Sequence, residues 1–152
     1  MKRSFWLFGL GLFVICGYGT WARQLQNTAA QSALIGSWTN LNMEKGAATL
    51  NIISVDAATG EIKGKYIPPS GPAAGKEFGV VGWVSSAPPV EKADNVVVAT
   101  FSVSLSTYGS VATWTGYFRD NKIIANWLNS RPNAGYEWDH ITTGQDVWTR
   151  KK

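Results

Sequence analysis

Residues 110–130 read SVATWTGYFR-DN-KIIANWLNS, two runs of aromatic, β-branched and small residues joined by Asp120-Asn121. In the first run Ser110, Ala112 and Trp114 share one face, the period of two that marks a strand with one buried side. Asp and Asn tolerate the left-handed backbone that a tight hairpin turn requires, so the chain reverses at Arg119-Asp120-Asn121 and returns as a second strand. The same grammar runs outward in both directions. Phe101, Val103 and Leu105 alternate with Ser102 and Ser104, Trp38 shares a face with Asn40, and Asp146 shares one with Trp148.

Eight such strands are predicted, at 34–42, 48–55, 60–67, 77–85, 95–105, 110–119, 122–130 and 141–150, and no segment has the pattern of a long amphipathic helix. Ala58-Thr59-Gly60 is a second tight turn, whereas Pro68-Pro69-Ser70-Gly71-Pro72 and Ala87-Pro88-Pro89 are loops that cannot continue a ladder. Eight short antiparallel strands in succession can remove their free edges by closing into an up-and-down barrel, whose interior holds one small ligand. A two-sheet sandwich has the same periodicity and remains the alternative at this point.

Lys2 and Arg3 precede an apolar run from Phe5 to Tyr18 and a small-residue site at Thr20-Trp21-Ala22, the pattern of a cleaved export signal over 1–22. The run is shorter than the roughly 20 apolar residues that span a bilayer, so a secreted or periplasmic protein with no membrane anchor after cleavage is expected. A polar linker over 23–33 then leads to one folded domain over 34–150. The only cysteine, Cys16, leaves with the signal, so packing and assembly must hold the fold without a disulfide. Losing Lys2 and Arg3 from the 14 basic residues leaves 12 against 10 acids, which gives nucleic acid no basic stripe to bind. In the expected mature chain, one histidine, no cysteine and no nucleophile triad or metal-ligand group argue against an enzyme, a cofactor or a metal site.

The chemistry concentrates in the last third. Trp114, Trp127, Trp138 and Trp148 offer rigid apolar faces. Asp146, in a strand of Val, Trp and Thr, needs a hydrogen-bond donor if it points inward. A flat ligand with N–H groups supplies one.

In order, Gly36-Ser37-Trp38-Thr39-Asn40, Gly60-Glu61-Ile62-Lys63-Gly64-Lys65-Tyr66, Val81-Gly82-Trp83, Thr113-Trp114-Thr115-Gly116, Trp127-Leu128, Trp138 and Gly144-Gln145-Asp146-Val147-Trp148-Thr149-Arg150 resemble the avidin/streptavidin biotin-binding family. The set spans residues 35–150. The fold implied is the eight-stranded barrel for which streptavidin is a standard example. The ligand implied is biotin, held non-covalently. Asn40 and Tyr66 match family donors to the ureido oxygen, and Asp146 matches the acceptor for a ureido N–H. Such bonds polarise the ureido group in one direction and are charge-assisted. Trp114 and Trp127 match the walls around the bicyclic ring, and Ser110 matches a hydroxyl near the valerate carboxylate. Trp138 matches a tryptophan lent to a neighbouring subunit's pocket, which implies a homodimer or homotetramer. Trp38 and Trp148 are assigned to packing at the closed end, and Trp83 to either the site or packing.

Several family positions are altered. The third oxygen donor, a serine, falls near Ala48 or Thr49 after an expanded Asn42–Gly46 loop. Pro68 replaces a hydroxyl residue, Leu105 a wall tryptophan and Ala112 a threonine facing the thioether sulfur. Each loss costs about 1–3 kcal/mol. Together they take ~5–9 kcal/mol from the roughly 18 of the tightest binders, leaving a dissociation constant in the nanomolar to sub-micromolar range. Another small ligand in the same barrel, or an exported inhibitor presenting its loops to a protein, are the competing functions.

Overall fold

The computed structural model of the chain describes residues 31–40, 46–85, 91–92 and 94–151. The expected signal over 1–22 and residues 23–30 of the expected linker lie outside the described residues, as do residue 41, residues 42–45 of the expanded loop and the expected Ala87-Pro88-Pro89 loop.

Eight antiparallel strands form one closed barrel in sequence order. They are β1 (Gly36–Asn40), β2 (Thr49–Val55), β3 (Glu61–Ile67), β4 (Phe78–Ser85), β5 (Val97–Leu105), β6 (Ser110–Arg119), β7 (Lys122–Ser130) and β8 (Ile141–Arg150). Closure excludes the sandwich: β1 pairs with β8, setting Trp38 against Arg150, Thr39 against Thr149 and Asn40 against Trp148. Lys151 N–H donates to the Ser37 carbonyl at 2.9 Å and extends that seam by one bond.

The hairpin that opened the sequence reading forms as its composition requires. Asp120 and Asn121 both have positive φ, at 49° and 57°, the backbone of a two-residue turn whose twist matches its strands. β6 and β7 then pair from Arg119–Lys122 up to Val111–Ser130. At the β2–β3 turn, Asp56 Oδ1 accepts from the N–H groups of Ala58 and Thr59 at 2.8 Å each, which fixes the reversal before Gly60. A bulge at Ile53 shifts the β2–β3 register between Ile52 and Ser54 and adds local twist.

Inward residues at alternate positions fill one end of the barrel. Trp38, Trp148, Phe101, Leu50, Ile62 and Ile123 are fully or almost fully buried there. Leu34 plugs the base. Although 34–42 is expected as one strand, β1 begins at Gly36, because Leu34 and Ile35 N–H groups bond back to the Gln31 and Ser32 carbonyls at 3.1 Å in a turn. That turn carries Leu34 beneath the barrel, where its carbonyl accepts from the Trp38 indole at 2.9 Å. The Arg150 guanidinium lies 4.6 Å from the Trp38 ring and donates to the Ile35 carbonyl at 3.1 Å and to the Ala33 carbonyl. The cation–π contact and two charge-assisted bonds lock the base. With one end plugged, any ligand enters from the other.

Candidate functional site

At the opposite end the strands diverge around a cavity of about 420 Å³. Its floor holds the only two buried polar or charged side chains among the described residues, Asn40 at 2% exposure and Asp146 at 7%. Asn40 ends β1 and Asp146 lies two residues before Trp148 in β8, so the β1–β8 seam sets both in the lumen.

Asp146 Oδ2 accepts a hydrogen bond from the Trp114 indole Nε1 at 2.8 Å. The sequence reading treats Trp114 as a flat wall, but its N–H also orients the carboxylate and offsets part of its burial cost. The Trp114 ring stacks on Phe101, with centroids 5.2 Å apart and planes at 12°, and meets Tyr66 at 5.3 Å. Wedged between these rings, it cannot swing away from Asp146 without opening the core.

Tyr66, on β3, lines the same cavity. Burial, and then the Asp146 charge, pushes its hydroxyl up from 10.0 to about 12. Tyr66 thus keeps its proton throughout the physiological range and remains available as a donor. Trp127 forms the facing wall on β7. It needs the glycine opposite: a Cβ on Gly144 would lie 2.5 Å from the Trp127 ring.

Of the residues expected at the site, the structure therefore brings together Asn40, Tyr66, Ser110, Trp114, Trp127 and Asp146 around one cavity. Pro68, Leu105 and Ala112 line it as well, at the positions where the resemblance calls for polar or aromatic groups. Trp138 stands elsewhere. It is 74% exposed in a 3-10 turn over Glu137–His140, stacked on Tyr136 at 4.9 Å, and does not line its own chain's cavity. His140 Nδ1 donates to the Arg131 carbonyl at 2.8 Å, and Arg131 Nε to the Asp139 carbonyl at 3.0 Å, which braces the loop that presents Trp138.

Two expectations need correction. Thr49 lies on the outward side of β2, because the inward alternation falls on Ala48, Leu50 and Ile52. The cavity therefore receives no hydroxyl from this position, since Ala48 has none. Trp83 also faces outward, 55% exposed on β4 between buried Gly82 and Val84, and takes no part in the cavity. Conversely, Pro69, Ser70, Asn129, Thr142, Gly144 and Gln145 line the cavity without having been singled out. Strand alternation from Trp127 to Asn129 and from Asp146 back to Gly144 and Thr142 is the signal that finds three of them.

Among the described residues no group of three or more His, Cys, Asp and Glu could hold a metal ion. The cavity instead offers an anionic acceptor beside aromatic walls, with an amide and a phenol nearby. That arrangement can clasp a small, flat, neutral molecule with an N–H on one side and a carbonyl on the other.

The sequence model of the Avidin family matches residues 28–151, and the chain belongs to that family. Solved structures similar to it include core-bradavidin, at 29% identity over 74% of this chain and 96% of that one, with a TM-score of 0.60. Bradavidin matches at 29% identity over 76% of this chain and 79% of its own, with a TM-score of 0.62. Bradavidin2, solved as a complex with biotin, is 21% identical over 77% of this chain and 96% of its own, with a TM-score of 0.57, a likeness of fold. No curated protein sequence matches the chain.

Proposed function

We propose that this protein binds biotin non-covalently in the open end of its barrel. One observation carries the reading: Asp146, buried to 7% exposure on the cavity floor and held by the Trp114 indole. A buried carboxylate left with a free oxygen calls for a donor, and a ureido N–H is such a donor. Asn40 and Tyr66 line the same cavity and supply donors suited to the ureido oxygen, while Trp114 and Trp127 flank the ring system. Family membership and the biotin complex of bradavidin2 support the same ligand. The protein acts by binding, with no chemical step.

Three further parts belong to this proposal. The chain is exported, with the 1–22 segment removed. It assembles into a homodimer or homotetramer, for which the 74% exposure of Trp138 is the support, since a tryptophan so exposed is suited to an apolar partner. Its affinity lies below that of the family's tightest members, because Pro68, Leu105 and Ala112 offer the ligand neither hydroxyls nor an aromatic wall. Calorimetric titration of the purified protein with biotin tests the reading. A saturable isotherm in the nanomolar to sub-micromolar range, weakened at least roughly tenfold by Asp146→Ala, is expected. A flat isotherm with folded protein overturns it.

A further inference from the structure

The outer half of the cavity carries polar groups that a ureido ring on the floor does not use. Along β8, Thr142 precedes Asp146 by four residues, which places it about 13 Å along the strand in the direction of the mouth. Ser110 precedes Trp114 by the same interval on β6, and Asn129 follows Trp127 by two on β7. In the sheet, Ala112, Asn129 and Thr142 stand side by side in register. Thr142 Oγ1 donates to the backbone carbonyl of Asn129 at 3.5 Å. Among the described residues, the Asn129 carboxamide and the Ser110 hydroxyl make no hydrogen bond with protein groups, although both line the cavity. Among the described residues, neither Lys, Arg nor His lines it, and Asp146 is the one acidic side chain that does.

We propose that Asn129, flanked by Ser110 and Thr142, is a specificity-determining residue that reads a neutral carboxamide tail, so that biotin joined through an amide is preferred to the free acid. The inference rests on the biotin reading and refines it. A carboxamide in the tail presents one carbonyl acceptor and one N–H donor, and the side chain of Asn129 answers both. A carboxylate can only accept, so the Asn129 oxygen gains nothing from it. Moving a carboxylate even partly out of water costs more than moving an amide, and no cation among the described lining residues offsets that cost. Repulsion from Asp146 is secondary at the distance of the mouth, since it falls with separation and solvent screens it. Donor complementarity and desolvation decide the preference.

The test titrates the protein with biotin, its methyl ester and its primary amide. The ester is uncharged but has no tail donor, so it separates charge from hydrogen bonding. The amide is expected to bind roughly 3- to 10-fold more tightly than the acid, the size of one net hydrogen bond, and more tightly than the ester. In Asn129→Leu the preference of amide over ester disappears. Asn129→Thr, smaller and still polar, is read in the same way should the leucine variant not fold. Acid binding as tightly as amide in the unaltered protein, or an amide-to-ester ratio unchanged in the variants, overturns the subsite. If none of the three ligands binds, the biotin reading itself fails, which differs from binding all three without preference.

Discussion

The indole N–H of Trp114 and the carboxylate of Asp146 meet at 2.8 Å, although 32 residues separate them. The wall of the cavity and its charged floor are therefore one unit, in which the ring that borders a ligand also aims the acceptor.

Trp114→Phe keeps a ring against Phe101 and Tyr66 but removes the N–H. Asp146 is then buried with one partner fewer, and the unliganded protein should lose about 1–3 kcal/mol in urea unfolding. Asp146→Asn tests the other side of the bond. Its amide keeps only one oxygen, so either the indole or a ligand N–H must face an NH2 instead of an acceptor, and calorimetry should show biotin affinity falling roughly 10- to 100-fold, equivalent to ~1.5–3 kcal/mol. Unchanged affinity in Asp146→Asn would mean that the carboxylate does not face the ligand.

Tyr66 sets the alkaline limit. Its hydroxyl ionises at 10.0 when unperturbed and at about 12 in the fold, so above pH 10 the unfolded chain releases a proton that the folded one retains. Linkage then lowers stability as pH rises. The Tyr66 contribution is intact below pH 10 and is lost between 10 and 12. Denaturant unfolding at pH 9 and 11.5 should show a fall that is smaller in Tyr66→Phe. Biotin affinity of the folded protein should instead stay level through pH 10 and fall only as pH approaches 12, where Tyr66 changes from donor to anion. An equal pH response in the two proteins would remove Tyr66 as its source.

Two core tryptophans differ in one atom's fate. The Trp38 N–H is bonded to the Leu34 carbonyl at 2.9 Å, whereas the buried Nε1 of Trp148 has no partner. Trp38→Phe loses packing, the Arg150 contact and a hydrogen bond, and should cost about 3 kcal/mol. Trp148→Phe loses packing against Tyr66, Phe101 and Trp114 but relieves an orphaned donor. The two effects oppose each other, so its cost should stay within about 1 kcal/mol of zero. Urea midpoints that rank the variants the other way would contradict this account.

Gly144 is a sensitive position without a functional group of its own. Gly144→Ala puts a methyl group against the Trp127 indole and forces that ring into the cavity or out of its rotamer. Biotin affinity should fall roughly tenfold, with a shift in tryptophan fluorescence. Native affinity in this variant would show that Trp127 does not border the ligand.

Strand positions were legible because alternation and turn chemistry agree. The expected ranges 110–119, 122–130 and 141–150 coincide with β6, β7 and β8. Closure was less legible, since pairing of the first and last strands leaves no local trace. Inward direction was readable for Asp146 from its neighbours, but its partner was not, because alternation gives the face of a residue and says nothing of diagonal neighbours on other strands. The register after the expanded loop was left open between Ala48 and Thr49, because one residue is enough to turn a side chain from lumen to solvent and nothing local fixes it there. Asn129 lay inside the expected strand 122–130 without being assigned to the site, and its register with Ala112 and Thr142 sets it in the wall.

The seam between β1 and β8 joins the start of the folded chain to its end through Trp38, Thr39 and Asn40 and the one further bond from Lys151 to Ser37. Asn40 belongs to one of these strands and Asp146 to the other. A molecule gripped by both is a rivet through the weakest join of the barrel. Pairing across more than 100 residues of intervening chain is slow to form, so the site comes into being only when the last join closes. Occupancy then opposes the first step of opening. The ligand gains its pocket from the fold and, in return, holds the two ends of the chain together.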